Sequence, residues 1–123
     1  MHSQNVLHRD IRSMNVFFSD DGEIKICALG FSTFLSEQNE YRQTKAAVTF
    51  SASPEIIQGI QYSKEVDVWS FGCFAYELAT GKVPFSTIKD DNELIQNIIN
   101  TEVPEIPADR WSPAFIEFVK ACL

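Results

Sequence analysis

The spacing of apolar positions changes character along the chain. In the first thirty residues they fall in short runs, at 5–7 ("NVL"), 15–18 ("NVFF") and 23–27 ("EIKIC"), and these read as short strands. The polar "SDDG" at 19–22 joins the last two. Asp-Gly tolerates the positive φ that a tight hairpin turn requires, so a β-hairpin is predicted there. From Gly30 to Ser53 the pattern loses its period and becomes rich in Ser, Thr, Gln, Asn and charge. A loop this long inside a compact domain is uncommon and usually functional or disordered. Helical patterns occupy the remainder. Residues 54–59 open on Pro54 and stop at Gly59, a short helix. Residues 66–80 end at Gly81 and are apolar on nearly every face, which predicts a helix at the centre of the fold. Residues 91–100 start with acidic side chains that complement the helix dipole. Residues 112–123 open with Ser112 as N-cap and Pro113 at the first helical position, and carry no stop signal. The predicted class is α+β: a small β-hairpin region, one long loop, then helices.

Composition narrows the setting. The 123 residues suit one domain, and 45% apolar residues suffice for a core. A net charge of −7 argues against a nucleic-acid partner and is compatible with basic protein partners. Cys27, Cys73 and Cys122 have no metal-type spacing and are expected to be small buried hydrophobes in a reducing compartment. Met1 is followed by "HSQN" and not by a signal segment, and no run approaches the roughly 18 apolar residues of a membrane span. A cytoplasmic or nuclear protein without membrane attachment is expected.

One stretch concentrates polar function. His8, Arg9, Asp10, Arg12 and Asn15 lie in a loop between two predicted strands. Asp10 could accept a proton from a hydroxyl, Asn15 offers a neutral oxygen suited to Mg²⁺, and Arg12 could lie along a phosphate. Taken alone, the cluster fits a salt-bridged turn as well as it fits an active site.

The order of further segments separates these readings. "HRDIRSMN" (8–15) resembles the catalytic loop H-R-D-L-x-x-x-N of eukaryotic protein kinases. "KICALGF" (25–31) stands where the family has Asp-Phe-Gly. "SPE" (53–55) is similar to the Ala-Pro-Glu that closes the activation segment, here 30–55. "DVWSFGC" (67–73) is similar to the start of the central helix of the large lobe. The resemblance covers residues 1–123 and implies part of a kinase domain, from the catalytic loop to a late helix of the large lobe. "YELATGKVPF" and "EVPEIPADRWSPAFIEFVKACL" are most similar to serine/threonine kinases near the germinal-centre branch, although Arg12 in place of lysine is also a feature of tyrosine-type loops.

The resemblance implies a role for each matched residue. Asp10 would be the catalytic base and Asn15 would hold one Mg²⁺ of the ATP complex. Arg12 would neutralise the transferring phosphate. Arg9 would pair with a phosphorylated residue of the activation segment, for which Thr44, eleven residues before Glu55, has the right place. A solvated loop hydroxyl is the other reading of Thr44. Asp67 would accept backbone hydrogen bonds from the catalytic loop. His8 would be a packed structural histidine, and Glu55 a buried carboxylate whose arginine partner falls past Leu123.

Three departures qualify that picture. Ala28 stands where the family's aspartate ligates the Mg²⁺ bridging the β- and γ-phosphates. A methyl group cannot ligate a hard cation, and loss of one strong electrostatic contact costs roughly 3–4 kcal/mol of barrier lowering. Leu29 for phenylalanine is mild, and Gly30 keeps the corner. Ala47 and Val48 replace the family's Gly-Thr, whose hydroxyl contacts the catalytic aspartate; Thr49 could substitute only with a shift of one residue. With small residues at Ser51 and Ala52, the floor for a peptide substrate is expected to be degraded. No Gly-rich loop or Val-Ala-Ile-Lys strand precedes Met1, so the ATP-cradling small lobe is expected to be absent. The readings are therefore an ATP- and Mg²⁺-dependent kinase impaired in catalysis, a non-catalytic module that docks a partner protein, or a remnant whose apolar faces around Trp69 and the Phe-rich helices stay uncovered.

Overall fold

A computed structural model of the chain describes residues 1–36, 38, 40–44, 49–100 and 105–123. The N-terminal part is made of two small antiparallel sheets. Strand β1 (Val6–Leu7) pairs with β4 (Thr33–Phe34), with Val6 opposite Phe34 and Leu7 opposite Thr33. Strand β2 (Val16–Phe18) pairs with β3 (Ile24–Ile26) in the predicted hairpin, with Phe17 opposite Lys25. Gly22 takes φ 83° in its turn, and its N–H bonds Ser19 O at 2.9 Å. Four helices follow: α1 (Pro54–Gln58), α2 (Glu65–Thr80), α3 (Asp91–Ile99) and α4 (Pro113–Cys122). The caps act as their residue types require. Asp90 accepts from Glu93 N and Ser112 from Phe115 N, while Gly59 and Gly81 close α1 and α2 in the left-handed conformation.

Helix α2 organises the core. Its buried residues recur at intervals of three and four, and each pair serves a different apolar cluster. Val66 packs with Leu7, Leu35, Ile56 and Tyr62. Trp69 and Cys73 pack with Phe85, Leu94 and Ile98. Ala75 and Tyr76 pack with Ile106 and Val119 of α4. The α2–α4 crossing is close: a Cβ on Gly72 would lie 2.7 Å from Cys122 Cβ.

Several expectations need correction. The segment 30–53 is not wholly irregular. It contains β4, and Arg42 forms a β-bridge with Tyr62, because Leu35 and Tyr62 must reach the same core as Leu7. Strand β1 starts at Val6, since Asn5 turns left-handed at φ 55°. Helix α2 is not buried all round: Val68, Phe71 and Leu78 are exposed, and Phe71 and Leu78 share a recess with the β2–β3 hairpin, whose Phe18 and Ile24 are exposed too. Trp69, which only the remnant reading left uncovered, is buried. Among the cysteines only Cys73 is buried; Cys122 is half-buried and Cys27 exposed. Among the described residues, no helix is long and apolar enough to cross a membrane.

Candidate active site

The loop after β1 is fixed from beneath by one carboxylate. Asp67, 2% exposed in the first turn of α2, accepts from His8 N at 2.8 Å through Oδ2 and from Arg9 N at 2.7 Å through Oδ1. Its Oδ2 also bonds His2 Nε2 at 2.7 Å. These bonds hold Arg9 at φ 66°, a left-handed conformation that an L-residue adopts only at a cost. His8 is fully buried. Its Nδ1 accepts from Asp10 N at 3.2 Å, which leaves the ring proton on Nε2 for Cys27 O at 2.9 Å. The imidazole thus ties the loop to the end of β3.

Asp10 and Asn15 meet directly. The 3-10 turn Ser13–Asn15 returns the Asn15 amide to the start of the loop, where Nδ2 donates to Asp10 Oδ2 at 2.7 Å and to Asp10 O at 2.8 Å. Both residues are buried. Arg12 Nε lies 3.4 Å from Asp10 Oδ1 without a hydrogen bond. The hairpin brings position 28 beside Asn15, because Cys27 N donates to Asn15 O at 2.8 Å. Ala28 is exposed at φ 65°, ψ 55°.

That arrangement fails as a seat for Mg²⁺. The ion wants near-octahedral oxygen ligation. Asn15 contributes one carbonyl oxygen, Ala28 contributes none, and Asp10 is engaged by Asn15 and Arg12. Among the described residues, no three His, Cys, Asp or Glu side chains gather as a metal group.

A second cluster lies on the far side of Arg9. Its Nε donates to Phe31 O at 2.6 Å, and its Nη1 donates to Thr44 Oγ1 at 2.7 Å and Tyr62 Oη at 2.8 Å. The structure therefore brings Arg9 and Thr44 together. An open recess of about 660 Å³, lined in part by Arg9, Arg42, Thr44 and Gln61, adjoins them. Arg42 donates to Phe34 O and to Thr33 Oγ1.

Other candidates stand differently. Ala47 and Val48 lie outside the described residues. Thr49 Oγ1 pairs with Ser51 Oγ at 3.1 Å and is not brought to Asp10. Ser51, Ala52 and Ser53 are buried against α2, where Ser70 Oγ donates to Ser51 O at 3.0 Å. Glu55, expected to be buried, is half-buried, and among the described residues its carboxylate makes no hydrogen bond or ion pair. Sequence reasoning missed His2 and Tyr62. Each reaches the site only through tertiary pairing, and neither has a local signal in its spacing.

The pattern of the protein kinase domain matches residues 1–123, the whole chain. The chain belongs to the protein kinase family. Kinases of this family use ATP and Mg²⁺, which makes the misfit at Ala28 a departure within the family. The chain is similar to the serine/threonine-protein kinase KIC1 of Saccharomyces cerevisiae, 34% identical over 100% of this chain and 11% of the relative. It is likewise similar to the serine/threonine-protein kinase pakB of Dictyostelium discoideum, 34% identical over 100% of this chain and 14% of that protein. The serine/threonine-protein kinase ppk11 of Schizosaccharomyces pombe is 33% identical, again over 100% of this chain but 39% of its own length. The chain thus spans well under half the length of each of these relatives.

Proposed function

We propose that this chain is a serine/threonine-type kinase fold impaired in phosphoryl transfer, retained as a protein-binding module. The observation that carries the reading is Ala28. Phosphoryl transfer relies on positioning and charge neutralisation, and the residue beside Asn15 offers a methyl group where the family's reaction uses an anionic oxygen. Asp10, Arg12 and Asn15 keep the family's places, with Asp10 as the would-be base, but bond mainly one another. His8 and Asp67 are read as structural. The tail 102–123 and residues 76–85 favour the germinal-centre branch by sequence.

The Arg9–Thr44 contact supports a regulatory reading. A phosphate on Thr44 would place a dianion within reach of the Arg9 guanidinium and exchange a bond from the cation to a neutral hydroxyl for one charged on both sides.

The test is transfer of labelled γ-phosphate from ATP with Mg²⁺ to a generic protein acceptor, run beside Asp10→Asn. No Asp10-dependent incorporation is expected, nor any Mg²⁺-dependent rise in melting temperature on adding ATP. Incorporation at an ordinary kinase rate that disappears in Asp10→Asn would overturn the proposal.

A further inference from the structure

The contacts around Thr44 form a closed circuit whose fixed post is Tyr62. The tyrosine is 1% exposed, and its ring packs in the cluster of Leu7, Leu35, Ile56 and Val66. Its backbone pairs with Arg42 in both directions, Arg42 N to Tyr62 O at 2.8 Å and Tyr62 N to Arg42 O at 2.9 Å. Core packing and this bridge therefore set where the phenol oxygen sits.

Proton accounting then fixes the direction of each bond. Tyr62 has one hydroxyl proton. Its contact with Thr44 O, at 2.8 Å, can only be a donation, because a carbonyl has no proton to give. The proton of the 3.2 Å contact between Thr44 Oγ1 and Tyr62 Oη must then come from Thr44. Arg9 Nη1 donates to both oxygens. The Tyr62 oxygen thus accepts twice and donates once, and the Thr44 hydroxyl accepts once and donates once. Both hydroxyl protons and both Nη1 protons are committed with no phosphate present.

We propose that the Tyr62 hydroxyl is a latch that holds residues 42–44 closed on Arg9 in the unmodified chain. Phosphorylation of Thr44 transfers that task from Tyr62 to the phosphate–Arg9 pair. An ester oxygen has no proton, so a modified Thr44 cannot keep its donation to Tyr62, whereas its phosphate gains charged bonds to the guanidinium. The second half rests on the regulatory reading of Thr44 above. The first half stands on the unmodified circuit alone.

The experiment is limited trypsin cleavage at Arg42, followed by mass spectrometry on the full chain and normalised to cleavage at Arg110, which lies in a separate part of the fold. Tyr62→Phe keeps the ring in the core and removes only the hydroxyl. It should accelerate cleavage at Arg42 by about tenfold relative to Arg110, the effect of losing one to two net hydrogen bonds. In chain carrying phosphothreonine at position 44, the same substitution should change the ratio less than about twofold. Equal acceleration at both sites would mean that Tyr62→Phe merely loosens the whole fold, and would overturn the latch. An unchanged Arg42 ratio would overturn it as well. Tenfold acceleration that persists with phosphothreonine would refute the hand-over to phosphate while leaving the latch in place. Thr44→Val removes the hydroxyl bonds of Thr44 but leaves Tyr62 Oη donating to Thr44 O, so it should accelerate cleavage at Arg42 less than Tyr62→Phe does; an equal or larger acceleration counts against Tyr62 as the latch.

Discussion

Removing the Asp67 carboxylate should unfold the loop around Asp10 and much of the domain with it. The side chain is 2% exposed and accepts three hydrogen bonds of 2.7–2.8 Å, two of them from backbone amides. In Asp67→Ala the N–H groups of His8 and Arg9 lose their acceptor in a place with little water. Each buried donor left unpaired costs about 1–3 kcal/mol. Arg9 would also lose the bond that compensates its left-handed backbone, worth about 1–2 kcal/mol. Against this, the desolvation of the carboxylate is recovered. The net expectation is a loss of about 3–5 kcal/mol, in line with breaking a buried charged pair from one side. That is a large part of the roughly 5–15 kcal/mol that holds an ordinary domain. Asp67→Asn retains one acceptor oxygen but turns an amide NH₂ toward a donor, so about 2–3 kcal/mol is expected. The exposed Asp91→Asn in the first turn of α3 serves as control, with a loss under about 1 kcal/mol. Urea denaturation with unchanged m-values would rank the three. An Asp67→Ala protein within about 1 kcal/mol of the parent would refute the idea that this carboxylate organises the loop.

Three further outcomes are expected. Ala28 sits at φ 65°, so Ala28→Asn, which tolerates that region, should raise stability by about 0.5–1 kcal/mol and Ala28→Val should lower it, read as opposite shifts of the melting temperature. Gly72→Ala places a Cβ 2.7 Å from Cys122 Cβ, which is no flexible tip, and should cost about 1–3 kcal/mol in the same assay by pushing α4 from α2. Burial pushes the Cys73 thiol from its ordinary value of 9.0 up to about 12. The unfolded chain ionises first, so the contribution of the thiol is complete below pH 9 and fades as pH rises toward 12. The slope approaches about 1.4 kcal/mol per pH unit. Denaturation midpoints above pH 9 should therefore fall less steeply in Cys73→Ala, and equal slopes would refute the assignment.

What could be read from the sequence was local. The Asp21-Gly22 turn, the Pro54 and Pro113 starts and the Gly59 and Gly81 stops each depend on the conformational preference of one or two residues, and each appears where its spacing put it. Strand β4 was invisible because two residues carry no period and their partner β1 lies some 27 positions earlier. The exposed side of α2 was misread for a related reason. A helix apolar all round does not say which face its own chain covers, and Val68, Phe71 and Leu78 are left uncovered by the described residues. At the site, Asp10, Asn15, Arg9, Thr44 and Asp67 could be named through the resemblance to protein kinases, which their motifs carry. His2 and Tyr62 could not, because they arrive from other segments and act through one polar atom each.

The same geometry separates architecture from chemistry. His8, Arg9, Asp10, Asn15 and Asp67 are bound to one another and to the backbone by hydrogen bonds that the folded chain needs whether or not a nucleotide is ever present. Replacing one of them removes a partner from a polar group of the loop, so each has a structural task in the folded chain. Residue 28 is different. It is exposed, its side chain supports none of those bonds, and its exchange for alanine leaves the loop intact. The loop is therefore held without any bond from the side chain of residue 28, whose left-handed backbone is its one local cost.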